Sequence, residues 1–156
     1  MLKITQAKPN PSGKDRYQHS NNIPISQLVA EWVDFQNVGT EAYPLEGIKL
    51  QHIAYNFQSP NGYWDDVMSF SGTLLVGEIV RIHSGGEIDN LTSIDRNGAN
   101  HHLFTGRNMY SWNNDRQDSP RIILVQNGNI LEIDRADYSA NPPEGKILKR
   151  IGDKLV

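Results

Sequence analysis

The feature that most constrains the fold is the segment 121–135, which reads RIILVQNGNILEIDR. Two short runs rich in Ile, Leu and Val are separated by the dipeptide Asn127-Gly128. Asn and Gly adopt positive φ readily, so this pair suits the two-residue turn of a β-hairpin. The pattern therefore predicts two antiparallel strands that meet at Asn127-Gly128.

A two-residue turn also predicts the register of this hairpin. It pairs Gln126 with Asn129 and places Arg121 opposite Asp134. Four apolar side chains would then share the face that packs on the core: Ile122, Leu124, Leu131 and Ile133. A three-residue turn with a Gly bulge would shift this register, and the sequence leaves that alternative open.

Short strand-like runs broken by Gly, Pro and Asn recur along the chain. The segment 2–8 alternates between apolar and polar residues, and in EWVDFQN (31–37) Val33 and Phe35 are expected to face the core. Trp32 is expected to cover the opposite face of that strand, and the polar stretch 11–25 is expected to be a loop. A chain of 156 residues fits one domain. Together these patterns predict a single all-β domain over 1–156, an antiparallel sandwich of about seven to nine strands with at most a turn of helix.

Several segments match one known family in order. They are NPSG at 10–13, EWVDFQN at 31–37, LEGIKL at 45–50, the central hairpin at 77–84 and the turn WNND at 112–115. The chain resembles the lamin tail domain family, as a bacterial-type stand-alone member, over residues 2–138. It departs from the family pattern in having Ile48 where Trp is usual and Val76 where Pro is usual. An insertion at 56–67 and a C-terminal extension at 139–156 belong to this chain alone.

The resemblance implies an immunoglobulin-like β-sandwich and a non-catalytic role. Lamin tail domains act as interaction modules, and in bacteria they occur as presumed tethering units attached to enzymes or surface proteins. The chain would accordingly bind or tether a partner and not act as an enzyme.

Composition and motifs exclude several chemistries. The chain has no cysteine, so it has neither a disulfide framework nor a thiol nucleophile. The net charge is −3 and the 15 basic residues are scattered, which argues against a general polyanion-binding surface. Nucleophile elbows, phosphate-binding loops and dinucleotide fingerprints are absent. The sequence therefore predicts no enzyme, no cofactor and no small-molecule substrate.

The histidines and acidic loop residues do not predict a metal site. His101 and His102 are adjacent on a predicted strand, where neighbouring side chains point to opposite faces. The acidic and amide residues of 87–100 lack the spacing of an EF-hand calcium loop. We therefore predict that no metal is bound.

Two groups of residues are candidates for partner binding. Tyr63 and Trp64 follow the turn dipeptide Asn61-Gly62, where aromatic side chains can bind a partner or pack back onto the sandwich. In the tail, Lys146, Lys149 and Arg150 accumulate within a short apolar segment. That segment could be a last strand, a partner-binding arm or a cationic patch.

These observations predict an interaction, scaffold or tethering module that binds a macromolecular partner, and the expected partner is a protein. The alternative is a module that binds nucleic acid or polysaccharide through the loop aromatics and the basic tail; an enzyme is a distant third. The first residues lack the apolar run of a signal peptide, and no transmembrane segment is evident. The expected location is cytoplasmic for a complete chain, and extracellular or surface-tethered for a trimmed part of a longer one.

Overall fold

The computed structural model describes residues 1–156 and consists mainly of β-strands. The strands are β1 (Leu2–Lys8), β2 (Trp32–Asn37), β3 (Tyr43–Pro44), β4 (Ile48–Ala54), β5 (Tyr63–Ser69), β6 (Thr73–Leu74), β7 (Ile79–His83), β8 (His101–Phe104), β9 (Arg121–Gln126), β10 (Asn129–Arg135), β11 (Leu148–Ile151) and β12 (Lys154–Leu155). The helices are α1 (Lys14–Tyr17), α2 (Ile25–Leu28) and α3 (Ser93–Arg96). Each helix is a single turn, and none has the length and apolar character needed to cross a membrane.

The strands form two main sheets that enclose the core. The six-stranded sheet has the order β12-β11-β1-β2-β7-β8, and the four-stranded sheet has the order β10-β9-β4-β5. A small sheet pairs β3 with β6. All pairings of these strands are antiparallel except that of β7 with β8. This pairing is parallel because residues 84–100 carry the chain back to the end of the sheet at which β7 begins. The predicted all-β sandwich is confirmed, with nine strands of four or more residues.

Strands β1 and β2 carry the predicted alternation into the core. Val33 and Phe35 are fully buried, as are Leu2, Ile4 and Ala7. A bulge at Thr5 shifts the register, so Ala7 and not Gln6 returns to the core side. The Phe35 ring meets the Phe70 ring edge-on across the core, with the centroids 5.1 Å apart.

The outer face of β2 is buried as well, beneath α3. Trp32 donates from Nε1 to Asp95 over 2.9 Å, and the Arg81 guanidinium stacks 3.6 Å from the Trp32 ring. Arg81 also holds the buried Asp34 carboxylate with Nε at 2.7 Å and Nη2 at 2.8 Å. Trp32 covers its sheet face, as expected, and is itself covered by this charged layer.

The hairpin of β9 and β10 has the predicted tip but a different register towards its base. Asn127 and Gly128 have φ values of 53° and 78°, and Gln126 pairs with Asn129. A bulge at Ile133 then interrupts the ladder. The prediction that Arg121 lies opposite Asp134 is wrong, because the bulge moves Arg135 into that position.

The predicted core face of the hairpin is only partly correct. Ile122 is fully buried, and Leu124 and Ile133 are partly buried against the core. Leu131, however, is 59% exposed. Leu131 is level with Leu124 and with the buried Ile48, but it lies on β10, the edge strand of the four-stranded sheet, where no further strand covers it.

The polar loop and the tail are more ordered than the sequence predicts. The stretch 11–25 carries α1, and Lys14 within it is buried. In the tail, β11 pairs with β1 and with β12, so of the three alternatives the structure shows a last strand. The insertion at 56–67 forms a turn and then enters β5.

Candidate functional site

The main cleft of the protein lies at one end of the sandwich. This is the end at which four neighbouring strands of the six-stranded sheet carry Lys8, Trp32, His83 and Phe104 side by side. Three segments form it: 14–23, the adjoining parts of β4 and β5, and 107–115. We call it the loop-end cleft, and its volume is about 670 Å³. Its polar and aromatic lining includes His19, His52, Tyr63, Asp65, Arg107, Asn108, Tyr110, Asn113 and Asp115.

A buried lysine fixes the walls of the cleft to each other. Lys14 is 1% exposed, and its Nζ lies 2.5 Å from Glu31 Oε2 and 3.0 Å from Asn114 Oδ1. Nζ also donates to the backbone carbonyls of Pro9 at 2.8 Å and Trp112 at 2.7 Å. Because a buried charge is tolerated only when it is paired and hydrogen-bonded, this network holds 9–14 and 112–114 in one arrangement.

Glu31 extends the network to Ser84 and to a second point in the 107–115 wall. Its Oε1 accepts hydrogen bonds from Ser84 Oγ at 2.5 Å and from the Ser111 backbone N–H at 2.8 Å. The Tyr110 ring lies over Lys14, with Nζ 5.0 Å from the ring centroid. Burial, with the Glu31 charge, raises the pKa of Tyr110 to about 12. Tyr110 therefore stays a neutral phenol near neutral pH.

His52 is held between two carboxylates on the β4 side of the cleft. Its Nδ1 lies 3.1 Å from Asp118 Oδ2, and its Nε2 lies 3.7 Å from Asp65 Oδ2. The ring also packs edge-on against Trp112. A catalytic histidine activates a nucleophile by hydrogen-bonding to it, whereas both ring nitrogens of His52 face carboxylates.

Asp118 is a buried anchor for this corner of the cleft. It is fully buried and accepts backbone N–H groups from three residues, namely Ile53, Asn113 and Ser119. These bonds explain why the carboxylate is tolerated in the interior. They also join β4 to the turn after Trp112.

The two predicted aromatic residues have different environments. Tyr63 is 40% exposed and lines the loop-end cleft. Trp64 points to the other face of β5, where the Arg121 guanidinium stacks 3.7 Å from its ring. Tyr63 is therefore available to a ligand in the cleft, while one face of Trp64 is occupied.

The predicted basic residues lie away from the aromatic ones. Lys146 and Lys149 are exposed, and Arg150 lies on β11 in the six-stranded sheet. Arg150 is bound to both Asp134 oxygens, at 2.8 and 3.1 Å, and to the Ile4 carbonyl. Because β10, which carries Asp134, and β5 are opposite edges of the four-stranded sheet, the structure does not bring the two groups together.

The adjacent histidines of β8 diverge, as predicted, but one of them meets a third histidine. His101 faces Glu78 at 3.1 Å, while His102 Nδ1 lies 2.8 Å from Nε2 of the buried His83. His83 Nδ1 faces the Val29 carbonyl at 2.6 Å, which identifies Nδ1 as the donor. Burial lowers the pKa of His83 to about 4, so it is neutral at neutral pH. The structure contains no group of three or more His, Cys, Asp or Glu side chains that could hold a metal ion.

Sequence reasoning missed the residues that build the cleft. Lys14, Glu31, His52 and Asp118 are separated along the chain, and only Glu31 belongs to a motif, EWVDFQN, in which it was given no role. The one available signal was Asp118, which lies in a polar turn directly before a predicted strand. Its partners on β4 are distant in sequence, and it is the pairing of β4 with β9 that brings them next to it.

Comparisons with known proteins add no assignment. No protein-family model matches this chain, and no curated protein matches it. The class defined by the fold is an all-β sandwich with a polar cleft at one end.

Proposed function

We propose that this chain is a non-catalytic interaction module of the lamin tail type that binds a protein partner through the loop-end cleft. The observation that carries the proposal is the construction of the cleft. Buried polar networks around Lys14 and Asp118 hold its walls, and exposed polar and aromatic groups are left on its rim. A pre-formed concave site with a few placed polar groups is the usual form of a recognition site.

The chemistry of the rim suits a polypeptide segment. Asp65 and Asp115 provide negative charge, Arg107 provides positive charge, and Asn108 offers an amide group. A protein segment presents backbone amides and side chains of both charges, so such a mixed rim can match it. A phosphate backbone would instead require clustered Lys and Arg.

The partners of the cleft histidine, His52, support a binding role and not catalysis. His52 contacts Asp118 and Asp65, and no hydroxyl or amine is hydrogen-bonded to its ring. Asp118 is engaged by three backbone N–H groups and does not face the cleft as a free acid or base. The two-sheet sandwich is also the architecture that the lamin tail resemblance leads us to expect.

Polysaccharide is the second candidate ligand. The half-exposed Tyr63 lines the same cleft as Asp65 and Asn108, and a phenol ring beside carboxylate and amide groups can bind sugar hydroxyls. A nucleic-acid ligand has only the exposed Lys146 and Lys149 in its favour.

The experiment is a capture from a lysate of the native host with three forms of the protein. The wild type is compared with the double variant Tyr63→Ala/Asn108→Ala in the cleft and with Leu75→Ala, an exposed residue at the opposite end. We expect one partner to be retained by the wild type and by Leu75→Ala and to be lost with the cleft variant. Equal capture by all three forms, or binding of the wild type to a glycan array instead, would refute the proposal.

A further inference from the structure

Three reactive side chains meet in the buried floor of the loop end. Lys14 is 1% exposed, Glu31 is fully buried and Asn114 is 6% exposed. Nζ of Lys14 lies 2.5 Å from the Glu31 carboxylate and 3.0 Å from Oδ1 of the Asn114 carboxamide. From this geometry we infer that Lys14 and Asn114 are joined by a spontaneous amide bond between Nζ and the side-chain carbonyl carbon of Asn114, with Glu31 transferring the protons.

The arrangement around Nζ places a proton acceptor and a carboxamide beside the same amine. Nζ has four oxygen neighbours: the Glu31 carboxylate, the Asn114 carboxamide and the carbonyls of Pro9 and Trp112. An ammonium group has only three N–H donors. When one proton passes to Glu31, the lone pair is left in the direction of that proton, facing Glu31. A rotation about the Cε–Nζ bond then turns it towards the neighbouring Asn114 carboxamide, whose Oδ1 lies 3.0 Å from Nζ.

The leaving group is not held in place by the protein. Nδ2 of Asn114 is buried and has no hydrogen-bond partner. A buried amide nitrogen is ordinarily hydrogen-bonded, so its isolation is an exception that needs an explanation. Loss of this nitrogen as ammonia breaks no hydrogen bond within the protein.

The surroundings favour attack by the amine over hydrolysis. Tyr110 and Trp112 flank the lysine, and the burial of all three side chains excludes bulk water. Reacting groups that are fixed within about 3–3.5 Å of each other gain a large rate advantage over the same groups in solution. The folded chain therefore supplies both the positioning and the dry environment.

The reaction balances without any external reagent. Glu31 takes a proton from the Lys14 ammonium, and the neutral amine attacks the carbonyl carbon of Asn114 to form the new C–N bond. Once this bond has formed, Nδ2 and the attacking nitrogen share one carbon beside the Glu31 carboxyl, so Glu31 can protonate Nδ2 and take a proton from the attacking nitrogen as the bond from carbon to Nδ2 breaks. The products are a secondary amide, one ammonia and a protonated Glu31. The buried ion pair is thereby converted into two neutral groups, which removes two charges from the interior.

The bond would link positions 100 residues apart and tie two walls of the loop-end cleft together. This inference goes beyond the proposed function, since it concerns the covalent structure of the chain whether or not a partner binds. Its test is accordingly independent of any partner.

The test combines intact-mass measurement with peptide mapping of the purified, folded protein. We expect the wild type to have the mass of its sequence less one ammonia. Trypsin does not cleave after an acylated lysine, so digestion should also release one branched peptide that contains both Lys14 and Asn114. A wild type that keeps its full sequence mass after prolonged folded incubation would overturn the inference. So would a loss of ammonia without the branched peptide, since that result indicates a succinimide elsewhere in the chain.

Variants assign the roles of the three residues. Lys14→Arg should retain its full mass, and Asn114→Asp should form the same amide with loss of water. Glu31→Gln should cross-link about a hundredfold more slowly or worse, as expected for the removal of a general acid and base. The exposed Asn90→Ala, outside the cleft, is the matched control and should cross-link as the wild type does. Cross-linking of Glu31→Gln at the wild-type rate would exclude Glu31 as the proton-transfer group, and the wild-type map decides the main point even where a variant fails to fold.

Discussion

At the scale of single residues, the defining feature of this protein is the number of charged side chains it buries in pairs. Lys14 with Glu31 and Arg81 with Asp34 are almost completely shielded from water. None of these roles could be predicted from the sequence. Lys14 follows Gly13 in a polar run that is typical of an exposed loop, and its partners lie 17 and 100 residues away. Local composition carries no information about pairing at such separations.

Replacing Arg81 by Met should destabilise the protein by about 3–5 kcal/mol, because it leaves the buried Asp34 carboxylate without its partner. The matched control is Arg135→Met, whose exposed ion pairs should contribute less than about 1 kcal/mol. Urea denaturation of both variants measures the difference. Equal effects would show that the buried pair has no special role in stability.

The buried His83 should make stability depend on pH. Its pKa is lowered to about 4 in the folded protein from an ordinary value of 6.5, so below pH 6.5 the unfolded chain takes up a proton that the folded chain does not. The stability that neutral His83 contributes to the folded protein is fully present above pH 6.5 and is lost as the pH falls towards 4. The loss should be roughly 1 kcal/mol or more per pH unit in that window. Urea denaturation at several pH values should show a shallower dependence in His83→Asn and an unchanged one in the exposed His19→Asn. An identical slope in wild type and His83→Asn would contradict this.

At the scale of elements, strands with a clear local signal were predictable, and their irregularities were not. The alternation in β1 and β2 and the dipeptide Asn127-Gly128 are local features, so they located these elements correctly. The bulges at Thr5 and Ile133 depend on how each strand meets its neighbours, and no residue type marks them. The length by which the hairpin projects beyond β4 is equally a property of the assembled sheet.

Truncations in the hairpin should distinguish its buried inner strand, β9, from its exposed edge strand, β10. Ile122→Ala should destabilise the protein by about 2–5 kcal/mol, because this side chain is fully buried. Leu131→Ala removes similar atoms from a side chain that is 59% exposed, and its effect should be within about 0.5 kcal/mol. Thermal and urea denaturation would measure both. A large effect at Leu131 would mean that this face of β10 packs against another surface.

The hairpin turn should be sensitive to a methyl group at Gly128. This residue has a φ of 78°, so an alanine there is strained even though the space around it is open, and about 1–2 kcal/mol of stability should be lost. Gly86→Ala is the matched control, since Gly86 also has open space but no positive φ. Comparable stability of the two variants, measured by urea denaturation, would show that the turn relaxes without penalty.

At the scale of the whole molecule, the sandwich could be predicted and the cleft could not. Short strands separated by Gly, Pro and Asn turns specify the layers, because each strand must bury one face. The loop-end cleft is assembled from 14–23, 107–115 and the adjoining strands, and its existence depends on how those loops pack. The tail also proved to be integral, since β11 extends the six-stranded sheet along β1.

The distribution of charge over the whole molecule argues against nucleic acid as the ligand. The net charge is −3, and several basic side chains are already paired with carboxylates. These pairs include Arg150 with Asp134, Arg121 with Glu132, and Lys49 with Asp66. Phosphate binding gains affinity by releasing counterions, which requires several free cations on one surface.

Titration with duplex and single-stranded DNA at low and moderate salt should therefore detect no binding at micromolar concentrations. Only Lys146 and Lys149 of the predicted basic group are exposed, and two phosphate contacts provide little affinity and a shallow salt dependence. The variant Lys146→Gln/Lys149→Gln is the control, because it leaves the Arg150–Asp134 pair intact and should behave as the wild type does. Micromolar binding that weakens steeply with salt and is lost in this variant would establish the tail as a nucleic-acid site and displace the cleft as the recognition surface.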